Sequence, residues 1–389
     1  MPRPHPLLLD LAALRTPRSA TSSNPASVLA SAIEHRISGL LWTSIERGVV
    51  DMPAAQTHEL AARDLVVQAH HERLWSLASE IQHRLRRIGV ESAIAKGIGA
   101  ETRWYVRTGE RPCRDIDLVV DPAATARVDD VLAELAPRHP MRPEIAEMLR
   151  TGVLQSVDLV VDGVPIDLHL DLLKVEVATR GRAALFERSI EVTGSHGSTI
   201  RVLDAETSLI LFAIHLNKDR FARLLGYADI ARLLAREPFD WPFVETFLAR
   251  EGLRMPVYAA LHAVSSDIGL RPPPVPRPRG ARARAWNRLW PPDQRLRGYV
   301  SIGTNEHRQL WIPWLAEGRI REAFRWWVRR RAVPPRELLR IYEPDVGGPY
   351  PVQWAVGRLR GWRRRGTAER LAREADVHAR HRRSSSSTV

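Results

Sequence analysis

The sequence predicts an α+β fold: a small mixed β-sheet flanked by N- and C-terminal helical segments. Three observations carry that expectation. Apolar residues recur at helical spacing over residues 26–48, 58–88 and 204–270. Between them lie short apolar or alternating runs, VESAIA (90–95), DIDLVV (115–120), QSVDLVV (155–161) and VPIDLHL (164–170), which read as strands. Turn residues separate these runs: Gly89, Asp121-Pro122 and Asp162-Gly163.

Taken in order, the long helix over 58–88 carries Leu74, Leu77, Ala78, Ile81, Leu85 and Ile88 on one stripe, and Gly89 ends it. VESAIA is followed by Lys96-Gly97 and then by IGAETRWYV, so the order is strand, glycine turn, helix. After DIDLVV, Asp121 suits an N-cap and Pro122 the first helical position, which predicts a helix over 122–135 with Val128, Val131, Leu132 and Leu135 inward. QSVDLVV and VPIDLHL are joined by Asp162-Gly163, a two-residue hairpin signal of the type I′ kind. ETSLILFAIHL, YADIARLLA, PFVETFLAREGL and VYAALHAVSSDIGL form a second helical region. The implied organisation is an N-terminal helical segment (1–89), a sheet core (90–175), a helical domain (176–270), a Pro-rich linker (271–280), an Arg/Trp-rich extension (281–372) and a disordered tail (373–389).

Composition narrows the class. With 389 residues the chain can bury a sizeable core. A single cysteine, Cys113, excludes a disulfide framework and a Cys-based zinc site, and it points to a reducing, cytoplasmic setting. No apolar run reaches the length of a membrane span, and Asp10 interrupts the N-terminal apolar stretch that a signal peptide would need. The net charge of +13 comes entirely from residues 271–389, which hold 27 Arg against 10 acids. Such a basic third can meet nucleic acid, contact a membrane surface peripherally, or simply spread arginine over solvated faces; no recognisable RNA-binding motif accompanies it. The segment RIREAFRWWV (319–328) reads as an amphipathic helix, for packing or for a membrane surface. Only three lysines occur, Lys96, Lys174 and Lys218, among 55 arginines, so a lysine here can mark a place that needs a compact ammonium.

One constellation carries chemistry. In a strand, residues i and i+2 share a face, so Asp115 and Asp117 lie together opposite Ile116. Two close carboxylates repel, and a divalent ion such as magnesium resolves the repulsion with help from phosphate oxygens. VPIDLHL offers Asp167 and His169 on one face, and Asp167 could complete a three-carboxylate site for one or two ions; Asp158 and Asp171 are its rivals. His169 could orient a carboxylate, contact a base, or be a core histidine. Gly97 leaves room for a phosphate near the backbone, with Lys96 beside it. Arg111 and Arg114 could clamp phosphate or neutralise the aspartates, and Cys113 reads as a packing residue.

SAIAKGIGAETRWY, RPCRDIDLVVDPA and VPIDLHLDL, with LFAIHLNKDR and YADIARLL downstream, resemble the uncharacterised nucleotidyltransferase-like family of the polymerase-β-like superfamily over about residues 30–270. The resemblance implies a minimal nucleotidyltransferase core and transfer of NMP from an NTP to a hydroxyl of an acceptor, be it a small molecule, peptide or protein. It implies metal binding by Asp115 and Asp117 and a third carboxylate, Asp167, that takes the acceptor's proton. Lys96, Gly97, Arg111 and His169 are then nucleotide-binding candidates, and His215, Lys218 and Asp229 match family positions, where interhelix polar contacts explain them equally well. The chain departs from the superfamily at the turn, where Lys96-Gly97-Ile98 offers no serine, and in the 17 residues between Gly97 and Asp115. That departure keeps a second expectation open: a catalytically weak scaffold acting as a binding or accessory protein in natural-product or cell-surface polymer assembly.

Overall fold

Ile116, Leu118 and Val120 leave one face of their strand, Asp117 and Val119 the other, and this alternation decides how the sheet is clothed. The computed structural model describes residues 4–17, 24–121, 124–135, 156–169, 187–194 and 197–297. All belong to the first of two units, residues 1–324; the second unit, 325–389, lies outside the described residues, as do Asp171, Lys174 and RIREAFRWWV. Four helices lead, α1 (Pro6–Ala12), α2 (Pro25–Glu34), α3 (Ser38–Glu46) and α4 (Ala54–Arg87). Then come β1 (Ser92–Ile94), α5 (Gly97–Trp104), β2 (Ile116–Val120), α6 (Thr125–Leu135), β3 (Ser156–Val161), β4 (Val164–His169), β5 (Ile190–Thr193) and β6 (Thr199–Val202). Helices α7 (Ala205–Lys218), α8 (Leu224–Arg236), α9 (Trp241–Glu251), α10 (Arg254–Ile268) and α11 (Gly280–Leu289) follow.

The fold is α+β, with a mixed six-stranded sheet in the order β3-β4-β2-β1-β6-β5. β2 runs parallel to β4 and antiparallel to β1, while β1 and β6 are parallel. The hairpin between β3 and β4 turns at Asp162 (φ 49°) and Gly163 (φ 72°), both left-handed as a type I′ turn requires. β1 and β6 share only the Ile94–Val202 pairing, and a buried glutamine of α4 reinforces this narrow seam. Gln82 Nε2 donates to the carbonyls of Ser92 (3.2 Å) and Arg201 (3.0 Å), and Gln82 Oε1 accepts from Arg201 N (2.8 Å).

Each face of the sheet has its own core. Ile94, Ile116, Leu118, Val120, Ile166, Leu168 and Val202 pack against Leu74, Ala78, Ile81 and Leu85 of α4 and Val128 and Leu132 of α6. On the other face Ala93 and Val119 join a larger core built from α1–α3 and α7–α10. Residues 271–279 form neither helix nor strand, consistent with their proline density. Beyond them Trp286, Trp290 and Leu296 return to that core, and Trp286 Nε1 donates to Asn217 Oδ1 at 2.7 Å. Among the described residues, no helix is long and apolar enough to cross a membrane.

Candidate active site

The face of the sheet turned away from α4 and α6 carries the polar residues of the two central strands. Because β2 and β4 are parallel and in register at Asp117–Asp167 and Val119–His169, the alternation that buries Leu118 and Leu168 on one side brings Asp117, Asp167 and His169 together on the other. His169 Nε2 stands 3.0 Å from Asp117 Oδ1 and 3.1 Å from Asp167 Oδ2. Carboxylates only accept, so Nε2 bears the proton and links the two aspartates. His169 Nδ1 is buried with no hydrogen-bond partner among the described residues.

Lys96 enters from the end of β1. It is the N-cap of α5, and its Nζ lies 2.8 Å from Asp117 Oδ1. Gly97, the first residue of the helix, has φ 53°, a left-handed conformation that glycine tolerates. A Cβ there would meet the Asp115 carbonyl at 3.4 Å, so the turn rests against the approach to β2. Burial alone would push the Asp117 carboxyl up, yet Lys96 and then His169 outweigh it and hold it far below the usual carboxylate range. Burial would likewise pull the Lys96 ammonium down, but Asp117, with Asp115 and Asp167 behind it, keeps it above its ordinary value. Asp115, one position before β2, is raised by burial and by the charge of Asp117.

A loop with its own polar skeleton delivers Asp115. Glu101 Oε1 accepts from Gly109 N (2.7 Å) and Arg111 N (3.2 Å), and Glu101 Oε2 meets His71 Nδ1 of α4. Arg111 is buried, with Nε and Nη2 donating to Asp229 Oδ1 (2.8 Å) and Oδ2 (2.9 Å) of α8. Tyr105 Oη donates to the same Asp229 Oδ1 at 2.6 Å. Arg111 and Asp229 thus clamp the loop to α8, although both also line the cavity described next. Burial drives the Cys113 thiol far up and leaves it inert as a nucleophile.

These groups open onto a cavity of about 360 Å³ between the sheet and α7–α8. The sheet side supplies Lys96, Gly97, Asp115, Asp117, Asp167 and His169 to its lining, and the helices supply Arg36, His215, Lys218, Asp219 and Arg223, with exposed Arg114 also contributing. His215 is lowered by the Lys96 charge and then by burial. Asp158 pairs in register with Asp167, yet it is exposed on the edge strand and takes no part in the cavity wall. Sequence reasoning passed over Arg36, Arg223 and Asp219. No local pattern marks them, because what brings them to one cavity is tertiary: the end of α2 is hydrogen-bonded to the start of α8, and Asp219 is the C-cap of α7.

Asp117, Asp167 and His169 offer ligand atoms that all lie within 4.8 Å of one another. Two carboxylates with Asp115 alongside form a hard oxygen donor set of the kind that suits a divalent ion and phosphate oxygens. The residues therefore fit a metal. With this geometry in view, comparison with known families is decisive: residues 21–266 match the family described as uncharacterised nucleotidyltransferase. The chain belongs to that family. No curated protein matches it. The matched span takes in α2 through most of α10 and so contains the whole lining of the cavity. As a nucleotidyltransferase-family member the chain is an enzyme of the nucleotidyl-transfer class, with an NTP as its substrate.

Proposed function

We propose that the chain transfers NMP from a magnesium-bound NTP to a hydroxyl of an acceptor. The observation that carries this reading is the convergence of Asp117, Asp167 and His169 on one face of the sheet, with Asp115 and Lys96 beside them. In the reaction the acceptor oxygen bonds to the α-phosphorus, the bond from that phosphorus to the bridging oxygen breaks, and pyrophosphate departs. Asp115, Asp117 and Asp167 would hold one or two Mg2+ ions, which when bound neutralise phosphate charge and polarise the reacting oxygens.

The remaining chemistry belongs to the side chains. Asp117 is held too acidic by Lys96 and His169 to accept a proton, so it serves as a permanent anion. Asp167, at the edge of the trio and less buried, takes the acceptor's proton. His169 fixes the spacing of Asp117 and Asp167 through Nε2. Lys96 balances the carboxylates and, with Gly97, faces the phosphates. Catalysis then comes chiefly from alignment and charge. Cys113, the lone cysteine, supports a cytoplasmic, reducing setting.

One contact favours the scaffold reading instead: the Lys96 ammonium already neutralises Asp117, the carboxylate that a metal would need. Magnesium-dependent pyrophosphate release from an NTP, stimulated by an acceptor fraction and abolished in Asp167→Asn, separates the two. Release that persists in Asp167→Asn removes the proton-acceptor role, and NTP binding without release in the wild type supports the scaffold.

A further inference from the structure

Arg36 closes α2 from the left-handed region, Arg36 N donating to the Ile33 carbonyl (3.1 Å) and Ile37 N to the Ala32 carbonyl (2.9 Å), as Leu14 and Arg220 close α1 and α7. It follows the C-cap His35 of α2 with φ 56°, in the left-handed region where glycine or asparagine usually ends a helix. The surroundings here are specific. Leu225 N donates to the His35 carbonyl (3.2 Å) and Leu224 N donates to His35 Nδ1 (3.4 Å), tying the end of α2 to the start of α8. Those bonds bring Arg36 alongside Arg223, the N-cap of α8, across 186 intervening residues. Both line the cavity that also holds Asp115, Asp117 and Asp167, with Arg114 exposed beside them.

Bringing cations together in a half-buried site is unfavourable. Arg36 is pushed down to about 10, first by burial and then by the charges of Arg223 and Arg114, with Asp219 and Asp115 offsetting only part of this. A cavity that gathers three guanidinium groups in this way suits an anion.

We infer that Arg36, Arg223 and Arg114 form the seat for the triphosphate tail of the NTP, in the same cavity as the carboxylates. This assignment rests on the nucleotidyl-transfer reading and locates the leaving pyrophosphate, which the Lys96-Gly97 turn, lacking a serine, is poorly equipped to hold alone. Guanidinium groups suit the task because each can grip two phosphate oxygens at once.

The test uses the full chain, inorganic tripolyphosphate and no added metal or acceptor, with calorimetric binding and thermal melting read together. Arg36→Gly relieves the left-handed strain and removes the charge; Arg36→Gln removes the charge alone. Both variants, and Arg223→Gln, are expected to weaken tripolyphosphate binding at least tenfold, with Arg36→Gly melting at or above the wild-type temperature. Undiminished binding in both Arg36 variants, absence of binding by the wild type, or binding losses that merely track lowered melting temperatures would each overturn the assignment. The outcome is separable from catalysis. A chain that binds tripolyphosphate through Arg36 but transfers no nucleotide keeps the seat and refutes transfer; a chain that transfers NMP with an unchanged NTP KM in Arg36→Gly does the reverse.

Discussion

Lys96 Nζ lies 2.8 Å from Asp117 Oδ1, and both side chains are largely withdrawn from water. An anion buried beside a strand core requires a cation, and here it comes from the N-cap of the helix that follows the neighbouring strand. The pair makes Asp117→Asn costly twice over. It removes a carboxylate from the site and strands a buried ammonium, so a destabilisation of about 3–5 kcal/mol in urea unfolding is expected. Adding Lys96→Met should recover most of that stability without restoring activity. If the double variant is no more stable than Asp117→Asn alone, the ion pair is not what the substitution broke.

Much of this arrangement was legible in the sequence, and the reasons are local. The period-2 alternation of IDLVV and VPIDLH shows which residues share a face, and Asp162-Gly163 announces a turn that needs two left-handed residues in succession. β5 and β6 were not read. Each is four residues long, and β6 meets β1 through a single pairing that Gln82 of α4 supports from 119 positions away. The Arg36–Arg223 juxtaposition was beyond reach for the same reason: its signals are a backbone angle and two hydrogen bonds between α2 and α8. Arg111 was legible as a cation near the aspartates. That its guanidinium would be bonded to Asp229 was not, since the partner stands 118 positions away on α8.

The Arg111–Asp229 pair is expected to be structural first. Asp229→Ala leaves a buried guanidinium and the Tyr105 hydroxyl without their acceptor, so unfolding should be easier by about 3–5 kcal/mol. A double-mutant cycle with Arg111→Met should show strong coupling. Additive losses would place the two side chains in separate roles.

His35 gives the fold a pH dependence. Burial first, and the Arg223 charge second, lower it from 6.5 to about 4, and its Nδ1 must be unprotonated to accept from Leu224 N. The unfolded chain therefore binds this proton at a higher pH than the folded one. Stability is full above about pH 6.5 and declines as the pH falls toward 4, by about 3 kcal/mol at most. His35→Gln should flatten urea midpoints across that window. A slope unchanged by the substitution would assign the dependence to other groups.

Gly39 of α3 packs directly on the loop that carries Arg111 and Asp115: a Cβ would stand 2.7 Å from Glu110 Cα and clash with the Gly109 carbonyl. Gly39→Ala is expected to cost about 1–3 kcal/mol by overpacking. It should also lower transfer activity, because the loop must shift to make room. Full activity with reduced stability would mean that Asp115 holds its place independently of α3.

The account stands most directly on whether the aspartates act on a nucleotide. Incubation of the full chain with each NTP labelled at the α-phosphate, magnesium and fractionated lysate, in parallel with Asp115→Asn and Asp167→Asn, measures this in one experiment. Transfer of label to an acceptor by the wild type, lost by at least 100-fold in both aspartate variants while their melting transitions stay cooperative, is the predicted result. Label transferred at wild-type rates by either folded variant would contradict it.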